Sequence, residues 1–272
     1  MPVNMLALML QSAFRVVFER ESLRLAVLIG VLPSLGAYIG TVLAGLTLTP
    51  PPADTPLSDA ETLAALQTAL LGAALGYLVA MAAAMPLAVR AAGDLLARKL
   101  GAPPAVLPGE AVRRGLVLFA QAVAVVVLVM MGGYLLGLLV PDGSAVASLA
   151  LLGVMIASVY VFLGFLMVPG VLFYAERADI RASFALMRGQ RLKLFLFVLV
   201  VAMPFIMAAS LFSAIAQGQP DGAWVLALFV SLVGGFVNGL STGPHLIGLV
   251  QAYFARTGRM PPSIIDQAEP RT

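Results

Sequence analysis

Residues 194–216 read LFLFVLVVAMPFIMAASLFSAIA, a run without a single charged side chain, and Lys193 stands immediately before it. About 20 apolar residues, rising 1.5 Å each as a helix, cross the hydrocarbon core of a bilayer. Backbone groups in lipid must be satisfied within the segment, so such a run is a helix. Five more stretches, 25–48, 62–89, 115–140, 145–175 and 223–255, also lack Asp, Glu, Lys and Arg. Their apolar character is continuous, without the residue-by-residue alternation of a transmembrane β-barrel. The sequence predicts an all-α polytopic membrane protein with six transmembrane helices.

The composition agrees. Of 272 residues, 61% are hydrophobic and 11% charged, and the mean hydropathy is +1.02. A soluble domain of this size carries about a quarter charged residues, because water must solvate its surface. The chain has no cysteine, which excludes disulfides, thiolate metal sites and a cysteine nucleophile. The net charge of +3 is spread along the chain rather than gathered into a stripe, so no nucleic-acid partner is expected. Fourteen of the 16 basic residues are Arg, and Ala and Leu abound, as in proteins from GC-rich bacterial genomes. Residues 1–17 have only a short apolar run at 5–10, with no positive charge before it. They are expected to belong to the mature protein rather than to a signal peptide.

The connections predict the orientation. Segments 49–61, 141–144 and 217–222 contain Asp54, Asp59, Glu61, Asp142 and Asp221 but no Lys or Arg. The opposite side receives Arg15, Arg20 and Arg24, then Arg90, Arg98, Lys99, Arg113 and Arg114. It also receives Arg177, Arg181, Arg188, Arg191 and Lys193, then Arg256, Arg259 and Arg271. Basic residues favour the cytoplasmic side, so both termini are expected there, in a bacterial inner membrane. Trp224, Tyr174 and Tyr253 fall where interfacial aromatics belong.

The even-numbered stretches span 28, 31 and 33 residues and the odd ones 24, 26 and 23. Pro86, Pro169 and Pro244 each lie towards the cytoplasmic end of an even stretch, where proline frees a carbonyl and bends a helix. The pattern reads as three helical hairpins in parallel, although any six-helix protein of this orientation alternates in the same way. The expected organisation is an interfacial amphipathic segment at 1–24, a membrane domain at 25–255 and a cytoplasmic tail at 256–272. Within the first, Leu6, Leu10, Phe14 and Val17 recur with helical period, predicting a short helix lying in the membrane plane. In 180–188, Asp179 can cap, Ile180, Phe184 and Met187 share a face, and Gly189 can terminate.

Gly239-Leu240-Ser241-Thr242-Gly243 matches the letters of the G-x-S-x-G nucleophile elbow, with His245 four residues after Ser241. The elbow works on a strained strand-to-helix turn with an acid to orient the imidazole; a membrane helix without a carboxylate offers neither. No catalytic residue and no enzymatic activity are expected. Asn238, Thr242 and His245, with Ser241 beside them, instead share a face at i, i+4, i+7, which should turn away from lipid. Gln121 lies at comparable depth on the third helix. These five residues are either interhelical hydrogen-bonding groups or an intramembrane polar pocket for a lipid headgroup or small solute. The single histidine excludes bis-histidine haem and multi-histidine metal sites, and no metal or cofactor is expected. Spans without carboxylates argue against an ion-coupled pump. Glycines four apart at Gly36/Gly40, Gly72/Gly76, Gly133/Gly137, Gly235/Gly239 and Gly239/Gly243 allow close helix approach; a homodimer is permitted but not demanded.

Val168-Pro169-Gly170, Glu176, and the run Ser183-Phe184-Ala185-Leu186-Met187-Arg188-Gly189 with Lys193 resemble a group of six-helix bacterial membrane proteins. That group includes the YciC-like proteins and the membrane domain attached to some glycerophosphodiester phosphodiesterases. Its pattern is a VPG helix end, an acidic residue, an A-x-x-x-S-x-x-L-x-x-G helix and a fifth span. Phe184 stands where the group usually has Trp, and the last helix, Pro244 to Tyr253, is also similar. The resemblance covers the last 110 residues and extends to the first half by topology only. These 272 residues hold no counterpart of the phosphodiesterase barrel, so its catalysis is not carried over. The expected function is a non-enzymatic membrane protein acting by helix packing, contact with membrane lipids or a protein partner. The alternative is a transporter or lipid-handling subunit using the pocket around His245.

The cysteine-free sequence makes the orientation directly testable. Single cysteines at Thr55 and Gln219 should react with an impermeant maleimide in intact spheroplasts; labelling only after lysis would reverse the topology.

Overall fold

The computed structural model describes residues 3–44, 59–139, 145–217 and 224–258. Segments 49–58, 141–144 and 218–222, on which the orientation reading leans, lie outside the described residues, as does the tail from 259 onward. Among the described residues the chain is all-helical, without a strand. Six helices are long and apolar enough to cross a membrane: Arg20–Leu43, Gln67–Leu100, Pro108–Gly133, Leu152–Tyr174, Arg191–Ala216 and Val225–Thr257. Long apolar faces on them have no protein cover; Leu71, Val79, Leu128, Ile156, Met207 and Phe229 are all more than 60% exposed. Burial therefore does not account for their hydrophobicity, whereas a lipid environment does.

Helix α1 (Val3–Arg15) precedes α2 (Arg20–Ala26), which continues through a π-turn at Val27–Val31 into α3 (Leu32–Leu43). Then come α4 (Asp59–Leu100), α5 (Pro108–Leu139), α6 (Ala145–Phe165), α7 (Val168–Tyr174) and α8 (Ile180–Leu186). The last three are α9 (Arg191–Gln217), α10 (Trp224–Gly239) and α11 (Thr242–Thr257). The most extensive contacts join α3 to α4 and α9 to α10, and α5 packs on α6.

The first of these contacts follows from small residues. Gly36 and Gly40 of α3 lie against the backbone of Gly76 and Gly72 of α4, and a methyl group on any of the four would overlap the facing glycine. The same chain packs its earlier part against α10: Gly30 meets Gly235, and Ala26 meets Gly239. One span thus makes two glycine crossings on successive stretches of its length.

Several boundaries differ from the sequence reading. The second charge-free stretch ends at Val89, yet α4 continues to Leu100, 42 residues in all, or about 60 Å at 1.5 Å per residue. Ala91, Ala92, Leu95, Leu96 and Leu100 are buried while Arg90, Asp94, Arg98 and Lys99 are exposed. An amphipathic continuation needs no loop where the charges begin. The fourth stretch is interrupted at 166–167 and the sixth at 240–241. Pro169 and Pro244 then lie in the first turn of α7 and α11, where the missing N–H costs nothing; Pro86 sits inside the unbroken α4.

The α1 face also needs correction. Met9 and Ala13 are fully buried, Val16 and Val17 nearly so, and Leu6 and Leu10 partly so, so that of the expected face Phe14 is the exposed member, at 44%. The helix packs on α11 and α9, with Ser12 accepting a hydrogen bond from Gln251 at 3.1 Å. Its apolar stripe is directed by those helices, one position round from the expected line. The 180–188 reading stands: Asp179 caps α8 through the Arg181 N–H at 2.9 Å, and Gly189 takes φ +75°.

The buried core gathers at one end of the bundle, where α1, the second half of α4, α7, α9 and α11 meet. Beyond it, α3 meets α4, and the start of the first span meets α10, through glycine contacts. Gly40→Val, whose side chain would collide with the Gly72 backbone, should cost about 3 kcal/mol or more. Gly153→Ala, with open space around it, should be neutral or stabilising by up to about 1 kcal/mol. Thermal unfolding of both variants in mild detergent separates the two cases.

Candidate functional site

The five residues picked out from the sequence do not act as one cluster. Asn238 is exposed, contrary to the expectation that it faces the interior, and Ser241, Thr242 and His245 are partly buried. The reason is the glycine stripe: Gly235, Gly239 and Gly243 occupy the packed face, at Ser34, Ala26 and Ser22 respectively. The interruption at 240–241 also spoils the continuous i, i+4, i+7 register. Ser241 Oγ donates to the Asn238 carbonyl at 2.8 Å within its own turn. His245 Nε2 lies 3.1 Å from the Val198 carbonyl of α9, and its ring meets Phe197 edge to face at 6.3 Å. Gln121 serves a different contact, its Oε1 accepting the Ile180 N–H at 3.2 Å. With Asp179 it satisfies the first free N–H groups of α8.

One buried polar side chain that serves two backbone groups carries no mark of a site residue in the sequence. Ser183 of α8 is fully buried and fills the interruption of the fourth span. Its Oγ accepts the Met167 N–H at 3.1 Å and donates to the Gly164 carbonyl at 2.6 Å. Phe184 beside it covers Gly164 and meets Phe165 edge to face. Gln251 and Glu21, both 1% exposed, were likewise not distinguished. A serine, a glutamine or a glutamate among apolar residues has no local signature that tells burial from exposure.

Basic side chains decorate the core end, and many are engaged. Arg98 stands 2.8 Å from Glu21 Oε1, at an angle outside hydrogen-bond geometry, and Lys99 pairs with Glu19. These contacts tie α2 to the end of α4. Arg113 and Arg114 both bond Glu110, and Arg114 also caps α7 through the carbonyls of Ala175 and Glu176 at 2.6 and 3.0 Å. Arg256 donates to the Arg188 carbonyl at 3.1 Å.

Arg20, Arg24 and Arg90 behave differently. They form no ion pair with a described residue, and all three line one open cavity of about 830 Å³. Arg20 and Arg24, four apart, project from α2 on one face. Arg90 projects from α4, one turn before Asp94, the only carboxylate among the lining residues. Phe18, Leu23, Val27, Leu28, Leu87 and Phe236 form the apolar wall, and Phe18, Val27 and Leu87 are 80%, 42% and 56% exposed. The cavity therefore joins guanidinium groups to surface that is itself apolar and uncovered. A second cavity, of about 620 Å³, lies around Gly93, Pro104 and Phe173 and shares Arg90 and Asp94 with the first.

Only the i, i+4 spacing of Arg20 and Arg24 is a local signal for this site. Bringing Arg90 to them requires the extension of α4 beyond the charge-free stretch and its packing on α2, neither of which is visible in hydropathy. Among the described residues no group of three or more His, Cys, Asp or Glu is placed to hold a metal ion. No family model, curated protein or solved structure matches this chain.

Ser183→Ala removes the partner of a buried N–H and a buried carbonyl, which costs about 1–3 kcal/mol each when left unmade. His245→Leu removes one interhelical hydrogen bond, about 0.6 kcal/mol on average in membranes. Thermal unfolding in detergent should therefore rank Ser183→Ala as clearly the more damaging.

Proposed function

We propose that this chain is a non-enzymatic multi-pass protein of the bacterial inner membrane that holds an anionic lipid headgroup between Arg20, Arg24 and Arg90. The observation that carries the reading is the convergence of three guanidinium groups, none in an ion pair with a described residue, on a cavity with an exposed apolar wall. Guanidinium binds phosphate oxygens through paired N–H donors, and the wall offers acyl chains a surface continuous with the bilayer. The lipid-handling role expected of the His245 region moves to this cavity, because His245 spends a ring nitrogen on the Val198 carbonyl. That contact favours packing for the stripe on the last span.

The proposed arrangement is three helical hairpins with both termini cytoplasmic, supported by the pairings of α3 with α4, α5 with α6 and α9 with α10. The distribution of Lys and Arg along the chain supports the orientation. The proposal groups the protein with the YciC-like membrane proteins, on the Val168-Pro169-Gly170 to Gly189 segment. Within that reading, Ser183 serves to repair the interrupted fourth span. Residues 25–255 constitute the membrane domain, with the segments before and after it on the cytoplasmic side. A protein partner or a second copy is compatible with this role; nucleic acid is not among the partners proposed.

The test is lipid mass spectrometry on protein purified in mild detergent. Each arginine near an anionic surface contributes about 1 kcal/mol, so the combined change Arg20→Gln, Arg24→Gln, Arg90→Gln should lower retention of anionic phospholipid about a hundredfold. Helicity and elution volume should be unchanged. Equal retention by the folded triple variant would refute the lipid site.

A further inference from the structure

The cavity carries more information than its positive charge, because one carboxylate stands among the guanidiniums. Asp94 follows Arg90 by one helical turn, lines the same cavity and makes no ion pair with a described residue. If the site served only to collect negative charge, a carboxylate in its lining would weaken it. Beside a phosphate group, that carboxylate has two definite effects. It repels a second negative charge on the ligand, and it accepts hydrogen bonds from donors placed next to the phosphate.

We infer that the cavity selects a phosphodiester lipid with a hydroxylated head, such as a glycerol head, in preference to a phosphate monoester. The inference rests on the lipid-headgroup reading and adds the chemical class of the head. A monoester carries about −1.5 to −2 charge at neutral pH, whereas a diester carries a single charge. Three guanidiniums and one carboxylate leave a surplus of two positive charges, so the charge count by itself does not select the diester. The selection comes from Asp94, which accepts hydrogen bonds from the hydroxyl groups of a glycerol head and repels the second charge of a monoester. The space to accept a head larger than bare phosphate is present, because Arg90 and Asp94 also line the second cavity, around Gly93, Pro104 and Phe173. A head bound at the guanidiniums can extend past Asp94 into it. A lipid with a quaternary ammonium head has no N–H or O–H to donate to Asp94 and brings no net negative charge to the three guanidiniums, so it binds less well.

The experiment uses the whole protein in nanodiscs or mild detergent, with phosphatidylglycerol, phosphatidic acid and phosphatidylcholine offered in equal amounts and bound lipid counted by native mass spectrometry. The wild-type protein should retain phosphatidylglycerol above both others. Asp94→Asn keeps the size and a hydrogen-bonding carbonyl but removes the charge, and should raise phosphatidic acid relative to phosphatidylglycerol about fivefold. No preference for the diester in the wild type, or an unchanged ratio in a folded Asp94→Asn variant, would overturn the inference while leaving the lipid site standing. Failure of every anionic lipid to bind would overturn the site itself. A soluble deacylated diester, glycerophosphoglycerol, separates the lipid from a free phosphate compound. It should not displace the lipid at millimolar concentration, since it lacks contact with Phe18, Val27 and Leu87; displacement would overturn the assignment to lipid.

Discussion

The close approach of glycine backbones along the first span is the constraint on which the rest of this structure depends. Lipid chains are as apolar as leucine, so helices in a bilayer gain little from burying one another and are held by van der Waals contact at short distance. The first span makes that contact twice, through Gly36 and Gly40 against α4, and through Ala26 and Gly30 against α10. The π-turn at Val27–Val31 contains Gly30 of the crossing with α10 and precedes the crossing with α4, and Ser34 Oγ donates to the Gly30 carbonyl there at 2.7 Å. A local change of helical phase at this point lets one helix present small residues to two neighbours. It also turns Val27 and Leu28 towards the cavity that holds Arg20 and Arg24.

Interrupted helices create backbone groups that need partners, and the chain supplies them from nearby elements. In the fourth span Ser183 of the short α8 serves both an N–H and a carbonyl, while Gln121 and Asp179 serve the start of α8 itself. The Ser-x-x-Leu helix that follows the VPG segment thereby acquires a physical purpose. It is a plug whose polar atom repairs a break that a span near Pro169 would otherwise leave open. In the sixth span the interruption is milder, since Leu240 and Ser241 bond back to the preceding turn.

The core end of the bundle sorts its charges by whether the fold uses them. Glu21 and Glu19 fasten α2 to α4 through Arg98 and Lys99, and Glu110 with the α7 carbonyls occupies Arg114. Burying Glu21 at 1% exposure is costly without a partner, so the contact with Arg98 is structural. Arg20, Arg24 and Arg90 lie outside these pairs among the described residues, which is the basis for the affinity proposed for phosphate. Sharing Arg90 and Asp94 between two cavities is a consequence of running α4 on as one helix beyond the apolar stretch.

How far the sequence could be read depended on the range of the interaction involved. The absence of charge over six long runs determines by itself that the chain forms apolar helices of membrane-spanning length, because the cost of unsatisfied backbone in lipid leaves no other local solution. The cap at Asp179 and the stop at Gly189 are equally local, and the glycine pairs could be recognised as sites of close approach. Which glycines meet was decided only by tertiary packing, and with it the exposure of Asn238, which the packed face of Gly235, Gly239 and Gly243 turns outward. The burial of Met9 and Ala13 rather than Phe14 depended on α11, and the duty of Ser183 depended on a break 16 residues earlier. Arg20, Arg24, Arg90 and Asp94 are all charges that a topological reading assigns to one side of the membrane. Their meeting in a single cavity depends on contacts between residues some 70 positions apart, a distance over which composition and periodicity carry no information.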